Sequence, residues 1–154
     1  MATAVKMEGV DQLVKRLEAV RQDVKLKGGR FALRKAAQLV RDAARAKARS
    51  FDDPETGRSI ADNVVERWNG KLFKATGDLG FRVGVQGGAK APPGGNPDLG
   101  AGSATPHWRF KELGTETLPA EPFLRPALEQ NLEAAASTFV TQYGKALDRA
   151  LKKA

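Results

Sequence analysis

The chain has no cysteine and a single histidine, His107. The first absence excludes disulfides and thiolate metal sites, and it fits a reducing cytosol as the place of assembly. The second removes His/Cys metal sites and leaves one candidate base, which follows a Gly/Pro-rich stretch with no Ser or Cys nucleophile motif beside it. Aromatic residues make up only 6% of the chain, so its core must be built mainly from Leu, Val, Ala and a few Phe. No apolar run approaches the roughly 20 residues that span a bilayer, so no membrane partner is expected. The N-terminus lacks the apolar stretch of a signal peptide, so secretion is not expected either. Acidic residues are scarce in one third of the molecule. Residues 1–50 carry 13 Lys/Arg against 5 Asp/Glu, residues 51–154 carry 13 of each, and the whole net charge of +8 therefore lies in the first third. Such basicity attracts nucleic acid, anionic membrane or an acidic protein surface without choosing among them.

What is present suits one domain over residues 1–154. Asp11 is placed to cap a first helix in which Val10, Leu13, Leu17, Val20 and Val24 recur at helical spacing. Gly28-Gly29 is expected to end it, because glycine accepts the left-handed cap conformation. A second helix follows over about residues 30–50, with small apolar residues suited to close packing. Arg30, Arg34, Arg41, Arg45 and Arg49 fall within about a quarter-turn of its surface. That basic stripe is either a solvated face or a contact with DNA phosphate or an acidic neighbour; no aromatic side chains interleave it to stack bases.

Asp52-Asp53-Pro54 and Thr56-Gly57 are turn chemistry, and residues 59–63 read equally as a helical turn or a strand entry. Asn69-Gly70 is a hairpin signal joining strands at 64–68 and 71–75. After a turn at Thr76-Gly77-Asp78, Leu79, Phe81, Val83 and Val85 alternate with Gly80, Arg82 and Gly84, which predicts a further strand. Residues 87–106 hold six glycines and four prolines, a composition expected of a long mobile loop. From Leu124 to Leu151 one long helix is predicted, its stripe running through Leu124, Leu128, Leu132, Ala135, Phe139, Tyr143, Ala146 and Ala150. The expected fold is thus α+β: an antiparallel β-meander of about four strands packed with two N-terminal helices and one long C-terminal helix.

No constellation reads as catalytic, and no cofactor or metal site is predicted. The run Gly84 to Lys90 lacks the Gly-Lys-Ser/Thr ending of a phosphate loop, and Pro92-Pro93 forbids the helix that should follow. Glu112 and Glu116 are separated by a glycine turn and define no acid/base pair. Asp52-Asp53 reads as a helix stop or cap. The protein is expected not to be an enzyme.

The least generic stretch is HWRFKELGTETLPAEPFLRPAL, residues 107–128. Its Trp108 to Thr115 run, followed by Pro119-Ala120-Glu121-Pro122-Phe123-Leu124-Arg125-Pro126-Ala127, resembles the tail-component family of long-tailed bacteriophages, small proteins of the neck and tail-completion region. Gly9-Val10-Asp11-Gln12-Leu13, the Arg-rich second helix and Thr56-Gly57 agree in order with the same family. The resemblance implies a structural virion protein at the head–tail junction, built in the host cytoplasm. It would form a ring, expected as a hexamer, around a channel for DNA passing without sequence preference. Its partners would be further copies of itself and adjacent neck, connector or tail-tube proteins.

Trp108, Phe110, Glu112, Gly114, Thr115, Pro122, Phe123 and Arg125 are the expected assembly residues. Prolines stiffen this connector before anything binds, which lowers the ordering cost at an interface. Phe123 serves either as a pin to a neighbouring element or simply as core, and Arg125 offers a fork to a carboxylate. Basicity alone supports a different class, a small DNA-binding protein. A toxin or nuclease-like enzyme is a third reading, disfavoured by the missing catalytic set.

Overall fold

The computed structural model describes residues 10–52, 59–86, 105 and 107–153. Its first third is one uninterrupted helical run. Helix α1 (Val10–Asp23) passes through a π-helical stretch (Val24–Gly29) into α2 (Arg30–Ala48), which tightens into a 3₁₀ turn over Arg49–Phe51. Gly28-Gly29 therefore does not separate two helices. The backbone on either side stays helical, with φ −62° and ψ −44° at Asp23 and φ −63° and ψ −42° at Arg30. The glycines serve packing instead. A Cβ on Gly28 would stand 2.7 Å from the Cβ of Ala146, and one on Gly29 would stand 2.8 Å from Cδ1 of Leu79. Two helical glycines cost about 1 kcal/mol each in propensity. At Gly28 a methyl group would meet Ala146 Cβ, which has no rotamer to move aside, so a larger residue would push the helices apart; at Gly29 the end of the Leu79 side chain can shift.

The neighbour that approaches is α6 (Leu124–Lys153), which lies antiparallel to this run. Ala127 packs with Ala44 and Ala48, Ala135 with Ala36 and Val40, and Ala146 reaches Gly28. On α2 the buried residues Ala32, Ala36, Val40, Ala44 and Ala48 recur every fourth position, a narrow seam of small side chains. The expected α6 stripe holds from Ala135 onward, where Phe139, Tyr143, Ala146 and Ala150 are at least half-buried. It breaks after Leu124, which packs on the core. There Ala127 is buried, whereas Leu128 and Leu132 are exposed. The α1 stripe fails in the same way: Val24 is buried, but Leu13 and Leu17 face solvent.

Between the two long helical segments lies a small insert. Helix α3 (Ile60–Asn63) is capped by Ser59, whose Oγ accepts the amide of Asp62 at 3.1 Å. Strand β1 (Val64–Trp68) pairs antiparallel with β2 (Phe81–Val85), in a register running from Val64↔Val85 to Trp68↔Phe81. Among the described residues the sheet has two strands, so the four-strand meander is corrected, while the α+β class stands with a small sheet on a mostly helical protein. Asn69-Gly70 does not make the hairpin. Asn69 caps helix α4 (Gly70–Thr76), its side chain accepting the Leu72 amide at 3.2 Å, and the predicted strand at 71–75 is this helix. The left-handed Gly77, at φ 75°, ends α4 and returns the chain to β2. Trp68 meets Phe73 and Phe81 at ring distances of 5.6 and 5.4 Å, which explains why 71–75 folds over the ribbon instead of extending it. Among the described residues the three predicted helices thus become six, because α3, α4 and α5 (Trp108–Leu113) are short helices inside the expected sheet region and the connector. The loop expected at 87–106 lies outside the described residues except for Thr105, whose buried hydroxyl accepts from Asn63 Nδ2 at 2.9 Å.

Candidate assembly site

The elbow from α5 to α6 is built around one carboxylate. A helix begins with backbone N–H groups that have no partner inside the helix. At the start of α6 these are met from a distance: Glu112 on α5 accepts the amides of Phe123 at 2.8 Å, Leu124 at 3.0 Å and Arg125 at 3.2 Å. Pro126 follows with no N–H to satisfy. The negative side chain also lies at the positive end of the helix dipole. Glu112 is therefore a remote N-cap that ties α5 to α6.

The residues between them form a closed turn. Gly114 has φ 75°, and a Cβ there would stand 2.8 Å from the amide nitrogen of Ala120. Thr115 donates its amide to Leu118 O at 2.9 Å, and its hydroxyl accepts the Leu118 amide at 3.0 Å. Glu121 then donates its amide to Lys111 O at 2.7 Å. Phe123 enters the core completely, meeting Phe51 edge-on at 5.9 Å. Trp108 is half-buried against the same cluster.

The eight expected assembly residues thus divide. Phe123, Glu112, Gly114 and Trp108 build the elbow from within, whereas Phe110, Thr115, Pro122 and Arg125 face outward. Leu113 and Leu118, 68% and 61% exposed, are outward apolar residues outside the expected assembly set. Their signal was two leucines flanking a polar turn.

Four of the five arginines of the α2 stripe meet the chain's own ribbon. The Arg30 guanidinium stacks 4.4 Å from the centre of the Trp68 ring, and Arg34 Nε lies 3.7 Å from Glu66. Arg41 donates to Glu66 Oε2 at 2.7 Å and also pairs with Asp42, and Arg45 Nε donates to Val64 O at 2.9 Å. Arg49 is exposed at the end of the run. Glu66 is the hub of this set, with its side chain 7% exposed and Gln38 Nε2 donating to it at 3.2 Å. Burial alone would push its carboxyl up. Hydrogen bonds from Arg41, its own backbone and Gln38 outweigh that and hold it below the usual carboxylate range. Burial opposes the charged form of Arg41 too, but its bonds to Asp42 and Glu66 leave its pKa raised. The signal for Glu66 was its position two residues from both Val64 and Trp68, on the same inward face of β1.

Among the described residues no three His, Cys, Asp or Glu side chains group to hold a metal ion, and no helix is long and apolar enough to cross a membrane. A family profile described as "Bacteriophage HK97-gp10, putative tail-component" matches residues 11–114, and the chain belongs to this HK97-gp10-like family of phage tail components. The matched span covers the helical run, the ribbon and α5; the proline-bracketed connector and α6 lie beyond it. No curated protein and no solved structure matches the chain.

Proposed function

We propose that this tail component acts at the head–tail junction, in the neck, tail-completion or tail-terminator layer, as a ring of identical subunits with a channel for DNA. The observation that carries the ring is apolar surface the single chain leaves uncovered. Leu13, Leu17, Phe110, Leu113, Leu118, Leu128 and Leu132 are all at least half exposed. Side chains of this kind scattered singly need no explanation, but runs along one helix face and one elbow mark interaction surfaces. A hexamer is the expected count, with adjacent neck, connector or tail-tube proteins as further partners.

DNA in such a channel would be met through phosphate charge and not through base contacts. Four of the five stripe arginines are engaged by Trp68, Glu66 and Val64. Besides the exposed Arg49, the ribbon carries Arg67 and Arg82 outward, directly opposite each other and both exposed. Like charges so placed repel, and an anion between them relieves that repulsion. The reading as a free-standing DNA-binding protein rests on the net charge of +8.

One pair of experiments separates the two. Phage lacking this protein should accumulate filled heads and tails that do not join, seen by electron microscopy, and the purified protein should form rings of fixed mass. Tight duplex binding at physiological salt, falling with a log–log slope near −0.9 per phosphate neutralised, without any defect in joining would overturn the junction reading.

A further inference from the structure

The ribbon turns a basic face to solvent. Two clefts flank Trp68, which lines both and so joins them into one surface. The first, of about 470 Å³, lies between the helical run and β1 and holds Lys27, Arg30, Arg34 and Arg67. The second follows the outer side of the two strands and holds Arg67 and Arg82. Among the described residues the carboxylate lining these clefts is Glu66, whose side chain is 7% exposed and held by Arg41 at 2.7 Å. Arg34 reaches it only at 3.7 Å, with 60% of its own side chain exposed. Lys27 is shared with Asp23 at 2.9 Å, which leaves Arg30, Arg34, Arg67 and Arg82 as the cations open to a ligand.

The arrangement suits phosphate better than a base or a protein. Arg67 and Arg82 are direct partners in the antiparallel pair, a placement that like charges disfavour until an anion sits between them. The Arg30 guanidinium, 4.4 Å from the centre of the Trp68 ring, occupies the aromatic face on which a base would stack. Stacking uses the face of the guanidinium and leaves its N–H edge free to donate, and Arg30 is exposed. Lys35 Nζ covers the Phe31 ring in the same way at 5.5 Å. A protein partner needs an apolar centre to its contact, where charged residues are depleted. Beside the two ribbon arginines the outer cleft offers Val65 and Gly84, and a Cβ on Gly84 would meet nothing within 4 Å. That is a shallow surface open to a charged backbone, with no large side chain to anchor a protein.

We infer that this face, carried by Arg30, Arg34, Arg67 and Arg82, binds the phosphate backbone of duplex DNA without reading its bases. The contact is ionic and exposed, so salt screens it, and it holds DNA loosely enough for the duplex to slide. The inference rests on the channel reading above for how DNA reaches the protein, and it adds which side of the subunit the DNA meets.

Fluorescence anisotropy of a short labelled duplex tests it on the full-length protein. The parent should bind at about 50 mM salt and lose on the order of a hundredfold in affinity by about 200 mM, as contact with about four phosphates requires. Two duplexes of unrelated sequence should bind alike. Arg67→Gln/Arg82→Gln should weaken binding about tenfold or more at the lower salt and make the log–log slope shallower by roughly 2. Its melting temperature should be no lower than the parent's, because a like-charge pair is removed. Lys15→Gln/Arg109→Gln takes the same charge from α1 and α5 and should leave binding within about twofold. Equal losses in the two double variants would mean that binding follows net charge, and would overturn the site. A parent that ignores the duplex at about 50 mM salt would overturn it too, and rings in electron micrographs would still stand. Unchanged duplex binding in Arg67→Gln/Arg82→Gln, with weakened self-association by sedimentation, would assign the face to an acidic surface of a neighbouring subunit and overturn the inference. Binding lost in that variant, from a protein that never forms rings, would support the phosphate site and remove the ring.

Discussion

Residues 36–48 of α2 and residues 13–24 of the α1 end carry the same kind of helical apolar spacing, and the protein treats them in opposite ways. Along α2 the repeat is covered by α6, α3 and β1, and its alanines and Val40 are buried. Along α1 the repeat holds larger side chains, Leu13 and Leu17, yet only Val24 at its end is buried. Amphipathic periodicity states that a face needs cover, and it does not state which chain supplies it. The small residues are inside because two helices can approach closely only over alanine and glycine. The large ones remain outside, uncovered by the described residues of the chain.

The largest expected loss comes from emptying the covered half. Phe123→Ala removes the largest fully buried side chain and should cost about 3–5 kcal/mol in denaturant-monitored unfolding. A loss under 1 kcal/mol would mean that the elbow is not anchored in the core. Next is the hub that holds α2 to β1. Glu66→Gln should cost about 2–3 kcal/mol at neutral pH, since it leaves Arg41 without its buried counter-charge. Because the folded Glu66 carboxyl lies below its usual range, its contribution is present above the unfolded carboxylate pKa of about 4.3 and is lost as pH falls through the lower folded value. Melting temperatures from pH 7 down to pH 3 should therefore fall less steeply for the variant than for the parent.

A smaller effect is expected at the elbow. Glu112→Ala should cost about 1–2 kcal/mol, and amide exchange should quicken at Phe123, Leu124 and Arg125 before it does elsewhere in α6. Uniform exchange along α6 would argue against the remote cap. The smallest stability change belongs to the uncovered half: Leu17→Asp should leave monomer stability within about 0.5 kcal/mol in denaturant-monitored unfolding while it weakens self-association. A large loss of stability there would mean that α1 is covered by its own chain, and the contrast between the two halves would disappear.

Several elements were legible because local chemistry agreed with packing. The α2 and α6 helices have helical repeats, good helix formers and few interruptions, and β2 alternates cleanly. The misreadings come from residues with two local uses. Asn-Gly serves a tight hairpin or a helix cap; at Asn69-Gly70 the rings of Trp68, Phe73 and Phe81 favour the cap. Gly-Gly serves a helix end or a close crossing, and at Gly28-Gly29 the crossing by Ala146 and Leu79 decides. The arginine stripe was visible as a stripe, but its acidic and aromatic counterparts, Glu66 and Trp68, come from a strand 25 or more residues away.

By itself the amino-acid sequence determined the absence of thiol chemistry, the lopsided charge, the helical repeats and the stiff Gly/Pro connector after α5. These follow from composition and from spacing along one segment. Only the tertiary structure decided that Glu112 caps a helix eleven residues on, that four stripe arginines are taken up by β1, and that Leu13 and Leu17 stay uncovered. Each of these depends on which segments meet in space. A burial pattern or a hydrogen-bonding capacity leaves that open until the partner surface is in place.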